Sequence, residues 1–232
     1  MTSDIDPAAP PRPRVAVVDD ASQTRETFQV AYTALDVVGA YPSVEALLGA
    51  MPSVDVVVLD LMLSPTLNEP GLQGPRAIAQ LVAHPYRVCL YTDERRLLVL
   101  AQCFAAGASG LVRKSDRLAD NQAAFLRVAA GQMVVPSSMV ELAELLRRRS
   151  QLPELTPRQT EVLNARARGE AWDGLARRLG ISARSAQDRL DAVMGKMVWF
   201  LQQAGLDPYA SAADVERALG LAPGDLNDPR AV

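Results

Sequence analysis

The residues best equipped for chemistry are three aspartates, a threonine and a lysine, each at or just past the end of a short apolar run. Asp19 and Asp20 follow Val15-Ala16-Val17-Val18, Asp60 follows Val56-Val57-Val58-Leu59, Thr92 follows the run 87–91, and Lys114 stands just past 109–112. Crowded carboxylates raise one another's pKa unless a cation lies between them. Hard oxygen ligands with room for water suit Mg²⁺. A carboxylate beside such an ion, next to a hydroxyl and an ammonium, is equipped for phosphoryl transfer: the metal and Lys114 neutralise oxygens while Thr92 donates to one of them. The polarity of loops accounts for any one of these aspartates, but five groups on matching strand ends make coincidence a poor explanation.

Other chemistries lack their residues. His84 is the only histidine, so a Cys/His zinc site, a His-based triad and a relay through a separate catalytic histidine are all hard to build. Cys89 and Cys103 lie in apolar surroundings and read as reduced core residues rather than a disulfide, although either could still be a reactive thiol. The 232 residues are 49% hydrophobic and 22% charged, an ordinary globular composition with room for one large domain or two small ones. There is no apolar run of 18 or more residues, and Asp4 and Asp6 stand where a signal peptide would carry positive charge. The expectation is a cytoplasmic protein that does not span a membrane.

The chemistry has to be positioned by alternating elements. Residues 1–13 hold four of the sixteen prolines and read as a disordered arm. From Arg14, Val/Leu-rich runs at 15–18, 54–60, 87–91 and 109–112 alternate with stretches of helical period at about 22–34, 44–50, 75–83, 95–106 and 117–130. Continuous apolar runs suit strands buried on both faces. With a weaker strand near Val37-Val38 this predicts five βα units, a doubly wound parallel sheet with its site at the carboxyl ends of the strands.

This constellation, over residues 14–131, resembles the receiver domain of two-component response regulators. The resemblance implies Asp60 as phosphoacceptor, Asp19, Asp20, Asp60 and the carbonyl of Met62 as the Mg²⁺ ligands, and Thr92 and Lys114 as the switch hydroxyl and phosphate-binding lysine. The sequence departs from the family at three places: a long loop from Leu61 to Gly74, an acidic Asp93 after Thr92, and Leu111 where many receivers carry an aromatic switch residue.

After Gly131 the strand signals disappear. Met139 to Arg149 predicts a helix within a linker, 132–153, and Thr156-Pro157 is a fresh start signal. Val162, Leu163 and Ala167, then Leu175, Ala176 and Leu179, then Ala186, Leu190, Val193 and Met197 recur at helical spacing, with Gly180-Ile181-Ser182 as a tight turn. Three packed helices that never meet DNA would show the same pattern. The residues Leu-Thr-Pro-Arg-x-x-Glu-Val-Leu, Leu-Ala-Arg-Arg-Leu-Gly-Ile-Ser and Arg184-Ser185-Ala186 resemble the helix-turn-helix output of NarL/FixJ/LuxR-type regulators, over 154–198. The resemblance implies a recognition helix in the major groove, with Arg184, Ser185, Gln187, Asp188 and Arg189 at the DNA.

That face is unusually acidic, since Asp188 and Asp191 point outward beside Gln187 and Arg189. Residues 151–198 carry 8 Lys+Arg against 6 Asp+Glu, a weak nucleic-acid footprint. Residues 199–232 form an extension with 2 against 5, in which Trp199, Phe200 and Tyr209 are expected to pack onto the helical domain, with a dimer contact as the alternative, and a short helix to run over about 211–219.

The reading is a non-enzymatic transcription regulator whose receiver takes a phosphoryl group, or an alternative signal, at Asp60, with a histidine kinase as phosphodonor, promoter DNA as target and a homodimer as its form. The alternative is an acidic recognition face that binds a protein partner, with the receiver as a dimerisation module. A phosphatase-like enzyme using the acidic pocket is a distant third.

Overall fold

The computed structural model describes residues 11–63 and 71–226. Valine-rich segments of the first half form a five-stranded, wholly parallel sheet in the order β2-β1-β3-β4-β5. Its strands are β1 (Arg14–Val18), β2 (Asp36–Tyr41), β3 (Val56–Leu59), β4 (Val88–Tyr91) and β5 (Gly110–Val112). Every residue of β3 and β5 is buried, as continuous apolar runs require of strands covered on both faces. Five helices follow the strands in turn: α1 (Ser22–Ala31), α2 (Val44–Ala50), α3 (Gly74–Ala83), α4 (Leu97–Ala105) and α5 (Leu118–Ala129). Gly110 lets α5 close on the sheet, because a Cβ there would meet a Val128 methyl at 2.6 Å. One apolar cluster, with Phe28, Tyr32, Val58 and Phe125, lies on the α1/α5 side.

The second half is helical. It comprises α6 (Ser137–Arg148), α7 (Pro157–Ala167), α8 (Trp172–Leu179), α9 (Ala183–Gln203) and α10 (Ala212–Ala218). Thr156 and Gln159 close a capping box on α7, with Pro157 at its first turn. Gly180, at φ +63°, ends α8 in the left-handed conformation, and Ser182 caps α9 three residues before Ser185, giving the helix–turn–helix. Helix α9 is longer than expected: it runs unbroken through Val198, so Val198-Trp199-Phe200-Leu201 belongs to it rather than opening a separate segment.

The two halves share one core. Leu97, Leu100 and Phe104 of α4 belong to the same buried cluster as Met139 and Leu142 of α6 and Met194, Met197 and Leu201 of α9. Of the long loop from Leu61 to Gly74, residues 64–70 lie outside the described residues, as do 1–10 of the N-terminal arm and 227–232.

Candidate functional site

β1 and β3 are neighbours in register, so Asp19 and Asp60, one residue beyond each, emerge side by side at the carboxyl edge. Asp19 is 1% and Asp60 8% exposed. One carboxylate oxygen from each of Asp19, Asp20 and Asp60 lies within 4.8 Å of the others. Lys114, past the end of β5, reaches over the sheet and donates to Asp19 Oδ2 at 2.8 Å and Asp60 Oδ2 at 2.9 Å. The other oxygens accept from backbone: Asp19 Oδ1 from Ala21 N at 2.9 Å, Asp60 Oδ1 from Met62 N at 3.2 Å. Burial pushes the Asp60 carboxyl above its ordinary value, and Lys114 only partly offsets it. Burial works against the Lys114 ammonium too, yet its bonds to Asp19 and Asp60 hold it above its ordinary value. Thr92, after β4, is 3% exposed, and its hydroxyl accepts from Glu94 N at 3.3 Å. The Met62 side chain is exposed.

Several supporting residues carry no local sequence signal. Arg25 of α1 donates to the carbonyls of Asp19 and Asp20 at 2.7 and 2.8 Å, bracing the turn that carries both carboxylates. The Lys114 ammonium lies 5.5 Å from the Tyr91 ring centroid, and the Tyr91 hydroxyl meets that of Tyr32 at 3.0 Å. Asp93, read from sequence as a negative charge beside the pocket, turns to the neighbouring loop. Its Oδ1 accepts from the Ser115 amide at 3.0 Å and the Ser115 hydroxyl at 2.7 Å. Burial raises the Asp93 carboxyl, but those two bonds outweigh it and leave it below its ordinary value. Leu111 is buried at the place of the usual aromatic. Burial pushes the Cys103 thiol up to about 12 and Cys89 higher still, which leaves both as packing residues.

In the helical half, the face of α9 expected to meet DNA is partly turned toward the first half. Asp191 pairs with Arg127 of α5 at 2.9 Å. Gln187, Leu190, Asp191 and Met194 line a cavity of about 120 Å³ with Arg127 and Val135 on the opposite wall. Arg184 and Asp188 are exposed and pair with each other at 3.0 Å. Arg189 donates to the Ser185 carbonyl one turn back, at 2.8 Å. Asp188 therefore points outward as expected, whereas Asp191 faces the receiver.

The aromatic residues of the extension differ from expectation as well. Phe200 packs against the shared core, but Trp199 is 55% and Tyr209 71% exposed, and Tyr209 lies under Arg76 of α3 instead of on the helical half.

No protein-family model matches the chain. A probable transcriptional regulatory protein, SgaR of Hyphomicrobium methylovorum, is 28% identical over 190 residues, 79% of this chain and 85% of the relative. The probable transcriptional regulatory protein NarL of Mycobacterium tuberculosis is 28% identical over 200 residues, 81% of this chain and 89% of the relative. Among solved structures, the two-component response regulator RcsB in complex with DNA superposes with a TM-score of 0.50 at 20% identity, covering 83% of this chain and 97% of that one, a likeness of fold. None of the described helices is long and apolar enough to cross a membrane. A parallel sheet edged by clustered aspartates, with a helix–turn–helix behind it, thus occurs in a chain that is similar along most of its length to probable transcriptional regulatory proteins of the SgaR and NarL kind.

Proposed function

We propose that the chain is a DNA-binding transcriptional regulator in which Asp60 accepts a phosphoryl group and the state of the acidic pocket governs access to α9. One observation carries this reading: Lys114 bridges Asp19 and Asp60 at hydrogen-bond distance, on the sheet edge that also holds Asp20. Asp19, Asp20, Asp60 and the Met62 carbonyl fit a hard divalent cation, because all are oxygen donors and the three carboxylates converge. Mg²⁺ bound there supplies charge that neutralises phosphoryl oxygens. An Asp60 oxygen attacks the phosphorus of a phosphodonor, in the cell the phosphohistidine of a histidine kinase, so that the new O–P bond forms as the P–N bond breaks and the kinase imidazole leaves. Lys114 then shifts from carboxylate to phosphoryl oxygen, and the Thr92 hydroxyl, which accepts from Glu94 N, donates its own proton to another phosphoryl oxygen. Arg184, Ser185, Gln187, Asp188 and Arg189 are the groups of α9 that meet the duplex, and a homodimer binds promoter DNA, in the cytoplasm, where such DNA lies.

A second reading keeps the receiver but gives the acidic face of α9 a protein partner. It is favoured by Asp191, which already engages a protein arginine, Arg127.

Incubation with acetyl phosphate and Mg²⁺, read by intact mass, tests the acceptor. The wild-type chain gains one phosphoryl group and Asp60→Asn gains none. Full labelling of Asp60→Asn, or an unlabelled wild type, contradicts the assignment.

A further inference from the structure

Helix α4 is apolar around its whole circumference except at Gln102, and none of its residues is exposed. A helix of that composition needs cover on every side. Here α3 flanks it on one side and α6 and α9 on another. Gln102 itself is 7% exposed, and its amide nitrogen donates to the carbonyls of Asp207 and Ala210, each at 3.3 Å. Both carbonyls belong to the connection between α9 and α10. Beside them, the Arg76 guanidinium of α3 lies 5.1 Å from the Tyr209 ring centroid.

The chain beyond this turn is rooted in the helical half. Val215, Leu219, Leu221 and Leu226 are buried in the core that the two halves share, and Gly220 lies so close to the Gln151 side chain, just past α6, that a Cβ there would meet it at 2.6 Å. Glu216, 4% exposed, accepts from Gly224 N and Leu226 N at 3.0 Å each, and Asp225 pairs with Arg149 at 3.2 Å.

We propose that residues 204–226 are an intramolecular strap: rooted in the helical half, clipped by the 207–210 turn to Gln102 and Arg76, it holds α9 against α4 and sets how often α9 leaves the receiver. The root and the clip differ in kind. The root is apolar and costly to expose. The clip is made by an amide, two carbonyls, a guanidinium and a largely exposed ring, all of which water satisfies when they part, so it opens without unfolding either half. Yet while Gln102 stays covered its amide must keep both carbonyls, because a buried donor without a partner is expensive. The clip is therefore closed with both bonds made, or open with water admitted.

Backbone hydrogen exchange of the full-length chain tests this, whether or not α9 reads DNA. Gln102→Glu places a carboxylate against two carbonyl oxygens, and Tyr209→Ala removes an exposed ring. Each should speed exchange in both the 207–210 turn and α4 by about tenfold, equivalent to ~1.4 kcal/mol, while β1 and β3 keep wild-type protection. Faster exchange in the turn with α4 still protected overturns the proposal, because the clip would then hold nothing. Unchanged exchange in Tyr209→Ala overturns it also. Should Gln102→Glu lose protection in the sheet, Tyr209→Ala decides alone.

Discussion

Arg127 of α5 and Asp191 of α9 lie 2.9 Å apart, joining the sheet-bearing half of the chain to its helix–turn–helix through a charge on the recognition helix itself. An approaching phosphate backbone meets a helix whose Asp191 and Gln187 are already turned to the receiver. Both side chains of the pair are partly exposed, so the bond is worth ~0.2–1 kcal/mol.

Arg127→Ala should therefore lower stability by less than about 1 kcal/mol and raise nonspecific duplex binding at low salt by up to about fivefold, through a larger open population. Asp191→Lys should exceed it, because it breaks the pair and adds a cation facing phosphate, steepening the salt dependence. Titration of a labelled duplex at several salt concentrations measures both. Identical behaviour of the two variants and wild type would mean that this face never approaches DNA.

Lys114→Met leaves Asp19 and Asp60 facing one another with no ammonium between them. A stability loss of about 1–2 kcal/mol is expected at neutral pH without divalent ions, less than the ~3–5 kcal/mol of a fully buried broken pair because Lys114 is partly exposed. Mg²⁺ should then stabilise the variant more than the wild type, since Lys114 is the ammonium that bridges those carboxylates among the described residues. Equal Mg²⁺ stabilisation of the two in urea denaturation would contradict the metal assignment.

Glu144, buried on α6, gives the fold an acid-sensitive tie. Burial pushes its carboxyl up, but the bonds from Arg147 and Arg148 at 2.8 Å outweigh this and hold it below the ordinary 4.5. The unfolded chain thus binds this proton more tightly than the folded one. The stability Glu144 supplies is fully present above the ordinary carboxyl value and drains away as pH falls through the lower, folded one. Glu144→Gln should cost about 1–2 kcal/mol at pH 7, and the gap to wild type should narrow as the pH falls below the ordinary carboxyl value. Urea denaturation across that range checks it, and a gap that widened on acidification would reverse the sign.

The parallel sheet and its acidic edge were legible because strands buried on both faces leave unbroken valine runs, and Asp19, Asp20, Asp60, Thr92 and Lys114 stand at fixed offsets from them. What stayed hidden depends on pairs far apart in the chain. Nothing near Asp191 announces Arg127, 64 residues away, and nothing near Gln102 announces Asp207, 105 away. Asp93 looked like a charge beside the phosphate site because its partner, Ser115, sits on another loop. The segment Val198-Trp199-Phe200-Leu201 looked like the start of a new unit, but it is the end of α9, with Val198 and Leu201 buried and Trp199 outward. One sign was in plain sight: α4 reads Leu-Leu-Val-Leu-Ala-Gln-Cys-Phe-Ala, too apolar to face water on any side, and it foretold a covering partner.

The most direct test of the central claim is selection from a random duplex pool by the purified full-length chain, at two salt concentrations, with and without beryllofluoride and Mg²⁺. The account predicts one enriched motif, bound more tightly when beryllofluoride occupies the Asp60 pocket. Absence of enrichment in every condition would contradict it and shift the acidic face of α9 to a protein partner.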